Sequence, residues 1–222
     1  MKNIEEKKKI SSQWFEELQK EICNELELLE KTYSDVQSKF KSTLWSRDKE
    51  GSDKLGGGKM QLMRGKIFEK AGVNVSTVFG ELSEKLRGKI PGTDNKSSFW
   101  ASGISLVIHP MSPLIPAIHM NTRFIVTEKS WFGGGIDITP SDKDSLESKR
   151  IAKFFHKELK IVCDKYSEGS YQEYKRYCDE YFYLPHRKES RGLGGIFFDN
   201  LSSSSWESDM KFIKEVGNIF VD

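Results

Sequence analysis

The chain has 222 residues, with 35 Lys and Arg against 33 Asp and Glu and a formal net charge of +2. That balance excludes a strongly basic nucleic-acid module and a long acidic tail. With 36% hydrophobic residues, 14 Phe, 7 Tyr and 5 Trp, the chain carries enough apolar surface for a core, which excludes global disorder.

Residues 4–42 carry Ile22, Leu26, Leu29, Tyr33, Val36 and Phe40 at spacings of four and three, which predicts an amphipathic helix lying on a sheet. The stretch WSRDKEGSDKLGGGKM, residues 45–60, has the composition of a loop. From about residue 60 the period changes to two. Segments 73–79, 99–108, 117–127 and 131–138 are rich in β-branched and aromatic residues and predict an antiparallel meander. Helical spacing returns over 143–165, with Ile151, Phe155, Leu159 and Val162 on one face. It returns again over 170–184, with Tyr171, Tyr174, Cys178 and Tyr181. A strand follows at 194–199. Ser204 and Glu207 then form a capping box for a last helix carrying Met210, Ile213, Val216 and Phe220. The order of helix, sheet and helices predicts an α+β fold with an antiparallel sheet. The length predicts a single domain over 1–222, with residues 1–44 as an N-terminal helical arm.

No apolar run approaches the ~20 residues of a membrane helix, so no integral membrane segment is expected. The start, MKNIEEKKKI, has no apolar stretch behind it and does not read as a secretory signal. Cys23, Cys163 and Cys178 show no CxxC spacing. Buried thiols in a reducing, cytoplasmic setting are the expectation.

Side chains on a strand alternate between faces. In IHMNTRFIV, Ile118, Met120, Thr122 and Phe124 share one face, while His119, Asn121 and Arg123 share the other. Ser105, Val107 and His109 oppose Ile104, Leu106 and Ile108 in the preceding segment. Asp137 opposes Ile136 and Ile138 in the next. If these strands are neighbours, one face gathers Ser105, His109, His119, Asn121, Arg123 and Asp137. A merely solvated face would show Lys, Glu and Thr instead, so this face reads as functional. Beside it, Gly133, Gly134 and Gly135 lack side chains and would let a flat ligand approach the backbone. No phosphate-loop pattern accompanies them. The segment around HRKESRG carries Arg187, Lys188 and Arg191, which can receive carboxylates. Its place between helix and strand suits a ligand clamp. Imidazoles are common metal ligands, but the spacing of His109, His119, His156 and His186 matches no compact metal motif.

Five strings together resemble the oxygen-dependent coproporphyrinogen III oxidase family. Four are GGGKMQLMRGKIFEKAGVNVSTVFG, HPMSPLIPAIHMNTRF, WFGGGIDITP and CDEYFYLPHRKESRGLGGIFFD. The fifth is the tryptophan-arginine-glycine stretch before the first, and all run in the family's order over about 45–200. The resemblance implies a large flat antiparallel sheet flanked by helices on both faces, and a cytoplasmic homodimer. It implies oxidative decarboxylation of two propionates of coproporphyrinogen III to vinyls, giving protoporphyrinogen IX. Dioxygen is the co-substrate, no organic cofactor takes part, and carbon dioxide and hydrogen peroxide leave. It assigns His119 as proton donor and Asp137 to the pyrrole N–H groups. Ser105, Asn121, Thr122 and Arg123 become substrate contacts; the residue reading adds Arg191 as a propionate partner. It further assigns His109, His119, His156 and His186 to a divalent metal. Asn200 departs from the family's usual Asp. The family also continues beyond this terminus, so the resemblance implies a missing C-terminal segment. Two other readings carry different expectations: a tetrapyrrole-binding protein without turnover, and an unrelated histidine-ligated metalloenzyme whose activity a chelator abolishes.

Overall fold

A computed structural model describes residues 2–47 and 55–221. Helix α1 spans Ile4–Tyr33. Asn3 begins it: its side chain accepts from the Glu6 N–H at 2.9 Å, and the Glu6 carboxylate accepts from the Asn3 N–H at 3.0 Å. This reciprocal box satisfies two donors at the exposed end of the helix. The helix stops earlier than its spacing predicts. The Ser34 hydroxyl donates to the Glu30 carbonyl at 2.7 Å, and the backbone turns extended there. Val36 and Phe40, four residues apart, fit a helix and an extended chain equally, which is why the pattern overruns. Phe15, Leu18, Ile22 and Leu26 are the buried stripe, while Tyr33 is 72% exposed.

Six strands follow: β1 Lys41–Ser46, β2 Gly56–Met63, β3 Phe68–Glu81, β4 Ser98–Pro110, β5 Ala117–Val126 and β6 Ser130–Thr139. Strands β1 and β2 occupy what the composition reads as the end of a helix and a loop. Every residue of β1 is exposed and β2 opens on three glycines, so neither shows an alternating pattern. Part of that stretch, residues 48–54, lies outside the described residues. Two helices come next, α2 Leu146–Tyr166 and α3 Ser170–Tyr181. A short hairpin, β7 Tyr183–Leu184 with β8 Glu189–Ser190, leads to β9 Gly194–Leu201 and then α4 Trp206–Asn218. The α4 cap is Ser205 rather than Ser204: the Ser205 hydroxyl accepts from the Ser208 N–H at 3.2 Å.

The sheet has seven strands in the order β1-β2-β3-β4-β5-β6-β9, every neighbour antiparallel. The α+β expectation with an antiparallel sheet therefore holds. Alternation gives the sheet two unlike faces. Val73, Ile104, Leu106, Met120, Phe124, Ile136 and Phe198 are buried on one. There they form one core with Phe15, Leu18 and Ile22 of α1, Leu159 of α2 and Phe212 and Ile213 of α4. Burying each such side chain contributes roughly 1.5–3 kcal/mol. The helices are unevenly divided. Among the described residues the other face is covered toward its β9 side, where Tyr181 of α3 stacks on Phe197 at 4.1 Å between ring centroids and Arg191 meets Asp137 of β6.

Glu30 fastens α1 to the turn between β2 and β3. It is fully buried. Its carboxylate accepts from the backbone N–H groups of Ile67 and Phe68 at 2.9 Å each and of Lys66 at 3.1 Å. Burial alone would raise its pKa, but these donors outweigh it and hold the group below the usual carboxylate range. Cys23, Cys163 and Cys178 are all buried and free, and burial pushes each thiol up to about 12. None is a thiolate at neutral pH.

Candidate active site on the open sheet face

The register places the polar residues of the exposed face in rows. His119 lies opposite Val107 and Asp137, Asn121 opposite Ser105 and Gly135, and Arg123 opposite Gly103 and Gly133. Asn74 of β3 extends the middle row beside Ser105. Ser105, His109, His119, Asn121, Arg123 and Asp137 thus share one face, as the alternation predicts.

Asp137 is the centre of the first row. Its side chain is 5% exposed. One carboxylate oxygen is 3.1 Å from Nδ1 of His119, and the other accepts from Nη2 of Arg191 at 2.6 Å. With Nδ1–H of His119 directed at Asp137, Nε2 is left for proton exchange on the open face. The carboxylate thus fixes the imidazole's orientation. It also keeps lone pairs for other donors, since a carboxylate offers about four acceptor sites.

Arg191 reaches this row from the loop before β9. Its guanidinium lies 3.8 Å from the Phe182 ring centroid, and the Arg191 backbone N–H donates to the Phe182 carbonyl at 3.0 Å. Cation and ring attract each other at such a distance. Gly192 takes φ +59°, and a Cβ there would stand 2.4 Å from the Ile138 carbonyl oxygen. Only glycine lets the loop press against β6 at that point. His119, His109 and Arg191 line a cleft of about 550 Å³, with Met111, Ile115 and Thr139 on its rim. A larger apolar cleft, about 790 Å³, lies on the helical face among Leu26, Ile108, Ile136 and Phe154. It shares none of these polar groups.

Three expectations need correction. Thr122 is fully buried on the helical face, because it alternates with Asn121 and Arg123. Its side chain cannot act with theirs. The room left by the glycine run is taken by protein. A Cβ on Gly133 would stand 2.5 Å from Oδ1 of Asp199 and 3.2 Å from Nε of Arg123, and one on Gly135 would stand 3.0 Å from the Phe197 ring. These glycines let neighbouring side chains cross β6. The four histidines also do not converge. His109 and His119 sit on the open face with ring centroids 6.3 Å apart. His156 sits on α2, with Nε2 2.8 Å from the Leu193 carbonyl oxygen and Nδ1 3.0 Å from the Tyr171 hydroxyl. Both of its nitrogens are engaged, and burial lowers its pKa. His186 is exposed in the turn of the β7–β8 hairpin. Among the described residues no group of three or more His, Cys, Asp or Glu side chains is placed to hold a metal ion. The four imidazoles therefore do not fit a single metal centre.

Asp199, Phe182 and Asn74 belong to the neighbourhood of the site and escape the sequence reading. Alternation in GGIFFD puts Asp199 on the face of Gly195 and Phe197. The signal is present, but nothing local shows that β9 lies beside β6.

The fold and this face together define a class: an α+β protein with an open antiparallel sheet, bearing a linked imidazole, carboxylate and guanidinium. The chain belongs to the coproporphyrinogen III oxidase family, whose sequence model matches residues 10–222. It is 50% identical over 216 residues to the oxygen-dependent coproporphyrinogen-III oxidase of Rickettsia akari (strain Hartford), covering 96% of this chain and 74% of the relative. It is 48% identical over 214 residues to the enzyme of the same name from Rickettsia bellii (strain RML369-C), covering 95% and 74%. Among the described residues no helix is long and apolar enough to cross a membrane.

Proposed function

We propose that this chain oxidatively decarboxylates two propionates of coproporphyrinogen III to vinyls, giving protoporphyrinogen IX for haem biosynthesis, with dioxygen as electron acceptor. Family membership supports the substrate and the reaction. The observation that carries the site is the joining of His119, Asp137 and Arg191 on the open face. The same likeness supports a cytoplasmic homodimer as part of this reading.

For each propionate the carbon–carboxylate bond breaks and releases carbon dioxide. A hydride equivalent leaves the neighbouring carbon, and one dioxygen and one proton accept it as hydrogen peroxide. The substrate is an electron-rich tetrapyrrole and serves as its own redox centre. Asp137 accepts from the pyrrole N–H groups through the lone pairs that His119 and Arg191 leave free, which favours deprotonation of the ring. His119 exchanges the proton at Nε2. Arg123 and Arg191 pair with the carboxylates, and Ser105 and Asn121 supply hydrogen bonds from the middle row. Since the four histidines do not form one ligand set, no step passes through a metal.

The test is turnover. The purified chain is mixed with freshly reduced coproporphyrinogen III in air and under argon, with and without a chelator. Product in air, none under argon and no effect of chelator are the expected results. Binding without product would favour a tetrapyrrole-binding protein, and loss of activity to the chelator would favour the metalloenzyme reading. Within this scheme Arg123→Ala should raise KM by roughly ten- to a hundredfold, the value of a lost charged hydrogen bond, with a smaller change in kcat. Steady-state kinetics over a range of substrate concentrations checks this. An unchanged KM counts against a propionate contact.

A further inference from the structure

The lower row of the open face carries an arrangement that the chemistry above does not use. Between β6 and β9 the pairing runs from Gly134 opposite Phe198 to Phe132 opposite Leu201. Asp199 and Asn200 therefore stand against the single residue Gly133, which is a β-bulge. Asn200 takes φ +55°, in the left-handed region. Among residues with a side chain, Asn and Asp tolerate that conformation best. The Asn200 N–H then donates to Oδ1 of Asp199 at 3.0 Å, so the bulge itself sets the direction of the carboxylate.

That carboxylate reaches over Gly133 to Arg123. Nη2 of Arg123 lies 3.5 Å from Oδ1 of Asp199, and Nη1 donates to Oδ1 of Asn121 at 3.0 Å. The guanidinium is thus held from both sides, across a position where any Cβ would stand 2.5 Å from Oδ1 of Asp199. The Arg123 and Asp199 side chains remain 33% and 30% exposed. A pair so open to water adds little to stability, which does not account for a bulge and a left-handed residue in the last strand. Bulges are frequent beside active sites, where they re-aim a side chain. An arginine fixed in one rotamer loses less freedom when it meets a ligand.

We propose that Asp199 is a positioning residue, aimed by the bulge at Asn200, which holds the Arg123 guanidinium flat across β6 so that it meets a substrate carboxylate in one orientation. The inference rests on reading Arg123 as a propionate partner.

Asp199→Asn, Asn200→Gly, Arg123→Ala and the double variant Arg123→Ala/Asp199→Asn decide it, with KM, kcat and thermal melting measured for each on coproporphyrinogen III. Asp199→Asn is expected to raise KM about three- to tenfold, the usual size of a coupling between neighbours, while kcat and the melting temperature hold. On the Arg123→Ala background the same change should add nothing. Asn200→Gly, which keeps the left-handed conformation open, should retain the parental KM. A parental KM for Asp199→Asn, or an effect that persists in full without Arg123, overturns the proposal. A raised KM in Asn200→Gly overturns the part given to the bulge. Arg123→Ala with a parental KM would instead remove the reading of Arg123 beneath it, an outcome separate from the others.

Discussion

Asp137→Asn should lower kcat by about two to four orders of magnitude, the range of general acid–base catalysis. Substrate binding should change far less. The amide keeps the size of the carboxylate and one acceptor for Arg191, so the floor of the site stays in place. What goes is the negative charge that draws a proton from a pyrrole N–H and orients His119 from 3.1 Å. His119→Ala should lose less, because the base remains while the proton carrier is replaced by water. Single-turnover rates with bound porphyrinogen separate chemistry from binding. A near-normal rate for Asp137→Asn would remove the carboxylate from the chemistry.

Glu30→Ala should cost about 3–5 kcal/mol of stability, because each hydrogen bond to a charged group contributes about 1.5–3 kcal/mol and three are lost. It leaves the N–H groups of Lys66, Ile67 and Phe68 without an acceptor and detaches α1 from the β2–β3 turn. The pH dependence follows from the direction of the shift. A carboxylate held below its ordinary pKa stabilises the fold above that ordinary value, and the contribution is lost as pH falls through the lowered one. Urea midpoints between neutral and acidic pH should therefore fall more steeply in the parent than in Glu30→Ala. Parallel curves would contradict this role.

The open face was legible because β4, β5 and β6 are successive, long and strictly alternating. His119, Asn121, Arg123 and Asp137 needed only a period of two and the assumption that consecutive strands pair. The same rule, applied consistently, removes Thr122 from that face. Where the period is weak the reading fails. Strand β1 is exposed on both sides and β2 opens on glycines, so neither differs in pattern from a loop. The end of α1 was hidden because Val36 and Phe40 suit two conformations. Long-range partners had no local sign at all. Asp199 meets Arg123 across a strand that precedes it by more than fifty residues of the chain, and Glu30 of α1 meets Lys66 in a turn two strands later. The glycine run was visible as missing side chains, but only the packing shows that Arg123, Asp199 and Phe197 fill the space. The resemblance makes His156 a ligand beside the other histidines, and its two hydrogen bonds emerge only once α2, α3 and the Leu193 loop are in place.

The claim that unites these results is that the polar face of the sheet, not the apolar cleft beneath the helices, receives the tetrapyrrole. A crystal structure of this chain with oxidised coproporphyrin III bound tests it most directly. The account predicts the ring over β3–β6, with Asp137 and His119 at its nitrogen centre and a propionate on Arg123. A ring lodged instead among Leu26, Ile108, Ile136 and Phe154 on the helical face would contradict it.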